Sequence, residues 1–187
     1  DARRRVEQRK FSRALVAGAA VSGVGAGCIP PGQTGIMIAG WGDPIDRVVS
    51  DFTAGTVEEM ILEVGDDHDV LFVEGQGSIV HPAYSGVTCG ILHGAMPDSM
   101  VLCHETGREA VHGYESFDLP PLPEYVDLYE ELAAPVHRSE VVAGALNTSG
   151  IETDDGARAA VDDYADELDP PATDTVRFAA DPHPQPS

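Results

Sequence analysis

Over residues 28–180, short apolar runs alternate with stretches of helical spacing. Val70-Leu71-Phe72-Val73 has no polar break and ends in Glu74-Gly75-Gln76-Gly77-Ser78. A short unbroken apolar run bounded by turn residues reads as a strand buried on both faces, so residues 69–74 are assigned as strand. Ser99–Glu105 is a second such run, and residues 140–146 are a third, ending in Asn147-Thr148-Ser149-Gly150. Between them, Ile45, Val48, Val49, Phe52, Thr56 and Met60 follow helical spacing. That spacing predicts a helix over residues 44–63, capped by Asp43 and started by Pro44. Residues 85–95 read as a helix of small residues and 124–134 as another. Residues 116–123 read as an extended connection. Thr153 caps a helix that turns Ala157, Ala160, Val161, Tyr164 and Leu168 inward, and residues 175–178 read as a last strand. Strands alternating with helices predict an α/β fold with a parallel, doubly wound sheet.

Charge changes the picture at one end. Residues 1–13 hold six of the eleven basic residues, and Lys10 is the only lysine. Beyond residue 13 there are five arginines against 30 acids, and the net charge is −21. Such a field repels nucleic acid and anionic membranes, so neither is expected as a partner. An acidic chain almost free of lysine is expected of a protein made for molar intracellular salt, where screening removes self-repulsion. Cys28, Cys89 and Cys103 are odd in number and far apart, which fits a reduced, cytoplasmic compartment. Residues 1–27, basic and then rich in Ala and Gly, stand apart in composition from 28–180. The break near residue 25 is what a frameshift or a misplaced start produces, and the segment also mimics a signal peptide. Residues 181–187 read as a disordered tail.

Two glycine-rich segments hold the candidate chemistry. One is Pro31-Gly32-Gln33-Thr34-Gly35, running on to Gly42. The other is Glu74-Gly75-Gln76-Gly77-Ser78 with His81 and Tyr84 after it. Ligands in parallel α/β sheets bind beyond the carboxyl ends of the strands. Glu74 is placed there, either as a base, as a water-mediated Mg²⁺ ligand or as a loop-stabilising carboxylate. His81 is the second acid–base candidate. Gln33, Thr34, Gln76, Tyr84 and Arg108 are the candidate substrate-binding residues, with Arg108 suited to an anion. Gly32, Gly35, Gly75 and Gly77 would let backbone approach a cofactor closely. A metal site from His81, Cys89, His93, Cys103 and His104 matches no zinc spacing. Cys89 and Cys103 read better as small core residues.

GQTGIMIAGWGDPID, the helix around Asp51, VEGQGSIVHPAYSGVTCGILHGAMPD and Glu115-Ser116-Phe117 together resemble one family. It was long catalogued as a domain of unknown function and is associated with D-glutamate N-acetyltransferase. The resemblance spans about residues 28–150. It implies a P-loop-NTPase-like sheet, similar to dethiobiotin synthetase, preceded by a Rossmann-like domain. The implied reaction moves acetyl from acetyl-CoA to the amine of D-glutamate or a similar acidic amino acid. Homo-oligomerisation stays open. The family's phosphate loop is expected upstream of residue 28, where this chain has Lys10 followed by Phe11-Ser12. The sheet is therefore expected to be incomplete at its N-terminus, and activity of the chain alone stays open. The alternatives are an ATP- and Mg-dependent ligase or kinase of the dethiobiotin synthetase type, and a non-catalytic remnant.

Overall fold

The computed structural model describes residues 22–178. The expectations for residues 1–21 and for the tail lie outside it. Strand β1 is Ala26–Ile29 and helix α1 is Gln33–Ala39. Helix α2 is Thr53–Val64, β2 is Val70–Val73, α3 is Ser85–Ala95 and β3 is Ser99–Glu105. A hairpin of β4 (Ala110–Val111) and β5 (Tyr114–Asp118) leads to α4, Leu122–Ala133. Strand β6 (Glu140–Asn147), helix α5 (Asp154–Leu168) and β7 (Ala172–Thr173) follow.

The expected α/β class and parallel pairing hold. Strand β1 runs parallel to β2, from Ala26 opposite Val70 to Ile29 opposite Val73. Strand β3 runs parallel to β6 along its whole length, and β6 also pairs with β7. The parallel strands thus fall into two groups, β1-β2 and β3-β6-β7. The apolar core is divided in the same way. Ile29, Ile45, Val57, Met60 and Ile91 are buried together beside the first group. Leu102, Val141, Leu146, Val161, Tyr164 and Leu168 are buried together beside the second.

Three assignments need correction. The helix expected over 44–63 begins only at Thr53. Before it lie two 3-10 turns, Ile45–Arg47 and Ser50–Phe52, broken by the extended backbone of Val48. Ile45 donates its N–H to the Pro31 carbonyl (3.1 Å), which ties this segment to the first glycine-rich segment instead of a helical turn. Val49 and Phe52, expected inward, are mostly exposed. The last strand is Ala172–Thr173, not 175–178. There the Asp174 carboxylate accepts the N–H groups of Val176 and Arg177 (2.9 Å each) and folds the chain into a turn. Residues 116–118, expected to be part of an extended connection, belong to the second strand of the hairpin. Thr153 caps α5 as expected, its hydroxyl accepting the Gly156 N–H at 3.2 Å.

Candidate functional site

The two glycine-rich segments meet. Glu74 follows β2 directly, and its N–H donates to the Ile29 carbonyl (3.1 Å), extending the β1-β2 ladder to the base of the acid. Its carboxylate lies over Gly35, where a Cβ would come within 2.8 Å of Glu74 Oε2 and of Pro30 Cβ. Gln76 is packed against Gly32, where a Cβ would collide with its amide. The same amide donates to the Pro31 carbonyl at 3.3 Å. Gly32 and Gly35 are therefore needed to let the second segment's side chains approach. Cys28, on β1, feels the result: burial and then the Glu74 charge push its thiol up to about 11.

The other candidates are placed as follows. Gln33 opens the short helix α1 and donates to Asp46 (3.2 Å), and Thr34 follows it. Gly77 has a left-handed backbone (φ 69°) and is crowded by Tyr84. Gly75 has open space around it. His81 lies between Tyr84, tilted against it, and Tyr114, edge-on to it, with ring centroids at 4.5 and 5.1 Å. Its Nδ1 accepts the Ala83 N–H at 3.1 Å, which leaves Nε2 to carry the proton of the neutral ring. In this arrangement His81 is a donor at Nε2 rather than a base.

Arg108 stands just beyond the end of β3. Its Nη2 is 3.1 Å from Glu105 Oε2, an ion pair by charge and distance. The geometry makes no hydrogen bond, so the buried Nε and Nη2 keep their donors unused. A buried guanidinium donor without an acceptor is costly unless a ligand supplies one. His104, also on β3, is stacked on Tyr164 with centroids 5.9 Å apart. Burial lowers its pKa, against the opposing charges of Glu167 and Glu105.

All these candidates except Gly35 line one cavity of about 1700 Å³ that runs between the two strand groups. Gly35 is buried beneath Glu74. The lining is enriched in bases. It takes two of the five arginines beyond residue 13 and four of the seven histidines, but only six of the 30 acids there. The acids of the lining still outnumber its arginines, so positive charge in the cavity is local to Arg108 and Arg177. Among the described residues no three His, Cys, Asp or Glu side chains cluster to hold a metal. His93 instead bonds the Leu132 carbonyl at 2.8 Å. Cys103, expected in the core, is instead exposed on the cavity it lines, and desolvation by its surroundings pushes its thiol up to about 12.

One part of the site went unread in the sequence. The hydroxyls of Ser78 and Tyr125 are hydrogen-bonded, and the Ile79 N–H donates to the Tyr129 hydroxyl at 3.2 Å. Helix α4 thus holds the loop after Glu74 at two points. Burial, chiefly, pushes the Tyr129 phenol up to about 12. The spacing of Tyr125 and Tyr129 is a signal for one helix face. Nothing in the sequence said which loop that face meets.

Comparison with known proteins places this geometry. A family described as "Domain of unknown function (DUF1611_C) P-loop domain" matches residues 8–182. A D-glutamate N-acetyltransferase of Tritonibacter scottomollicae is 39% identical over 150 residues, which cover 80% of this chain and 44% of that protein. A second protein of that name, from a Pseudoalteromonas species, is 36% identical over 127 residues, covering 67% of this chain and 38% of that protein. The crystal structure of a DUF1611 family protein from Anabaena variabilis superposes with a TM-score of 0.89 at 36% identity. The match covers 93% of this chain and 51% of that one. This chain therefore spans about half the length of the relatives it matches, or less. With the fold, the glycine-rich contacts and these matches in agreement, the chain belongs to the DUF1611 family, in its P-loop domain.

Proposed function

We propose that this chain carries the amino-acid-binding part of an N-acetyltransferase acting on D-glutamate, with acetyl-CoA as donor. The observation that supports it is one cavity containing both a strand-end carboxylate, Glu74, and a buried guanidinium, Arg108, with unused donors. The names of the two curated relatives point to the same chemistry. An amino group must lose a proton to attack a thioester, and a fixed carboxylate can take it. In this reading Glu74 accepts that proton as the C–N bond forms and the C–S bond breaks. The thiolate leaves and is protonated, and the Nε2–H of His81 is a candidate donor. Arg108, Gln33, Thr34 and Gln76 hold the carboxylates of the amino acid, and Tyr84 borders them. Arg108 and Arg177 are the arginines of the lining that could meet the phosphates of acetyl-CoA, and Gly75 leaves room for close approach.

The test is direct. Thiol release from acetyl-CoA is followed with D-glutamate, and with L-glutamate as control, using the 187-residue chain in molar KCl. Calorimetry with D-glutamate runs beside it. The expected result is D-glutamate binding that Arg108→Ala weakens by about 10-fold or more, and turnover that Glu74→Gln lowers by about 10²- to 10⁴-fold. No heat of binding and no thiol release would overturn the reading.

A further inference from the structure

Three hydroxyl groups meet on the wall of the cavity, those of Ser78, Tyr125 and Tyr129. Ser78 is hydrogen-bonded to Tyr125 and also lies against the Tyr129 hydroxyl. The two tyrosines are one turn apart on α4, and their rings stack with centroids 5.7 Å apart. The Ile79 N–H donates to the Tyr129 oxygen at 3.2 Å, which uses a lone pair there and leaves the phenolic proton free. Each hydroxyl has one proton to give. Ser78 can link to both phenols, but no bond joins the phenols to each other, so at most two of the three protons are used inside the cluster. Among the described residues the hydrogen bonds of the cluster end there. At least one O–H is left for an acceptor that a ligand brings.

The cluster is also held in place. Thr88 of α3 is buried and donates its hydroxyl to the Gln76 carbonyl at 2.8 Å. Gly77 turns the chain with its left-handed backbone, and the Ser78 carbonyl accepts the His81 N–H at 3.0 Å. Helix α3 thus fixes the loop from one side while the tyrosines of α4 fix it from the other. Both tyrosine rings pack, with Met100, against the apolar core beside β3, β6 and β7. Surroundings of low polarity strengthen a hydrogen bond. Burial pushes both phenols up, that of Tyr125 against its bond to Ser78 and that of Tyr129 to about 12. Both therefore keep their protons at neutral pH.

We propose, on the reading of this cavity as an acyl-transfer site, that the hydroxyls of Ser78, Tyr125 and Tyr129 are the donors for the carbonyl oxygen of the acyl thioester. Attack by the amine nitrogen forms the C–N bond and moves the carbonyl π pair onto that oxygen. The oxygen carries the negative charge until the pair returns, the C–S bond breaks and the thiolate leaves. Glu74 takes the proton from nitrogen. Preset donors gain most where charge appears only during the reaction. Tyrosine and serine hydroxyls, neutral and fixed, suit that oxygen. The standing charges of an amino acid's carboxylates are better met by the Arg108 guanidinium at the end of β3. Ser78 follows Glu74 by four residues in one loop, so the proton acceptor and the oxygen site share a single support.

Infrared difference spectra and kinetics test it. The 187-residue chain in molar KCl is mixed with acetyl-CoA isotopically labelled at the thioester carbonyl, with no amine present. The carbonyl stretch of the bound donor should lie below that of the free donor. Tyr125→Phe and Ser78→Ala should each return it toward the free value. With D-glutamate added, each variant should lower kcat by about 10²-fold. The KM for acetyl-CoA and the binding of D-glutamate should stay within about 3-fold of wild type, because the lost bond matters chiefly in the transition state. An unshifted carbonyl in the wild-type chain with acetyl-CoA bound would overturn the proposal and leave acyl transfer standing. So would variants that lose turnover and D-glutamate binding equally, or unfold earlier, with the carbonyl band unchanged, since the hydroxyls would then only support the loop. No binding of acetyl-CoA and no thiol release would overturn the acyl-transfer reading and the proposal with it.

Discussion

Gly35 is the residue through which the two glycine-rich segments communicate. A methyl group there would displace the Glu74 carboxylate, since Pro30 blocks retreat on the other side. Gly35→Ala should therefore lower thiol release by about 10²-fold, the effect of a small misplacement of a reacting group. Binding of D-glutamate through Arg108 should change far less, and steady-state kinetics beside calorimetry separates the two. A second residue is read through stability. Asp174 is buried, which by itself raises its pKa. The Thr148 hydroxyl (2.6 Å) and the N–H groups of Arg177, Thr148 and Val176 outweigh this and hold it below the usual carboxylate range. A depressed folded-state pKa gives stability that is complete above the unfolded value and is lost as pH falls through the folded one. Asp174→Asn should then cost about 1.5 kcal/mol at neutral pH. The difference from wild type should shrink toward about pH 3, and denaturant unfolding at the two pH values checks it. Glu74 was legible because strand, acid and turn are contiguous in sequence. Asp174 was not, because its meaning lies in Thr148, 26 residues away.

Among the elements, α2 and α3 show what small residues do. Gly90 of α3 faces the Thr53 side chain, and Gly94 faces the Ala54 backbone. The two helices approach so closely that a Cβ at Gly94 has no room. Gly94→Ala should lower stability by about 1–3 kcal/mol, as overpacking does. Gly86→Ala, at the second residue of α3 with nothing within 4 Å of the added methyl, should be neutral or stabilising. Thermal unfolding of the pair reads the contrast. The composition of α3 showed a helix of small residues but not which helix lay against it. Strands β2, β3 and β6 were all legible, because a short apolar run bounded by turn residues is itself a strand signal. The short strands β4, β5 and β7 were not. Their existence depends on partners: β5 is exposed throughout and β7 is two residues long. The start of α2 was misread because Ile45 is claimed by the Pro31 carbonyl, a tertiary bond that periodicity does not record.

At the scale of the whole molecule, charge sets the conditions under which the two cores hold together. The chain carries 32 acids and a net charge of −21. The bases beyond residue 13 are few and two are engaged: Arg177 with Asp154 (2.8 Å) and the Thr148 and Ile151 carbonyls, and Arg108 in an ion pair with Glu105. Among the described residues the acids far outnumber the bases, and their mutual repulsion opposes folding. It acts over about 10 Å at 0.1 M salt and about 3 Å at 1 M. Raising KCl between those limits should raise the unfolding midpoint by roughly 10 °C, or about 3 kcal/mol for a chain of this size. Sucrose strengthens burial by exclusion from the surface but screens nothing. A solution of matched osmolality should therefore give a much smaller rise. Equal rises in KCl and sucrose would mean that burial, not repulsion, limits stability. A midpoint that ignores KCl would mean that the acidic surface is not a load on the fold at all.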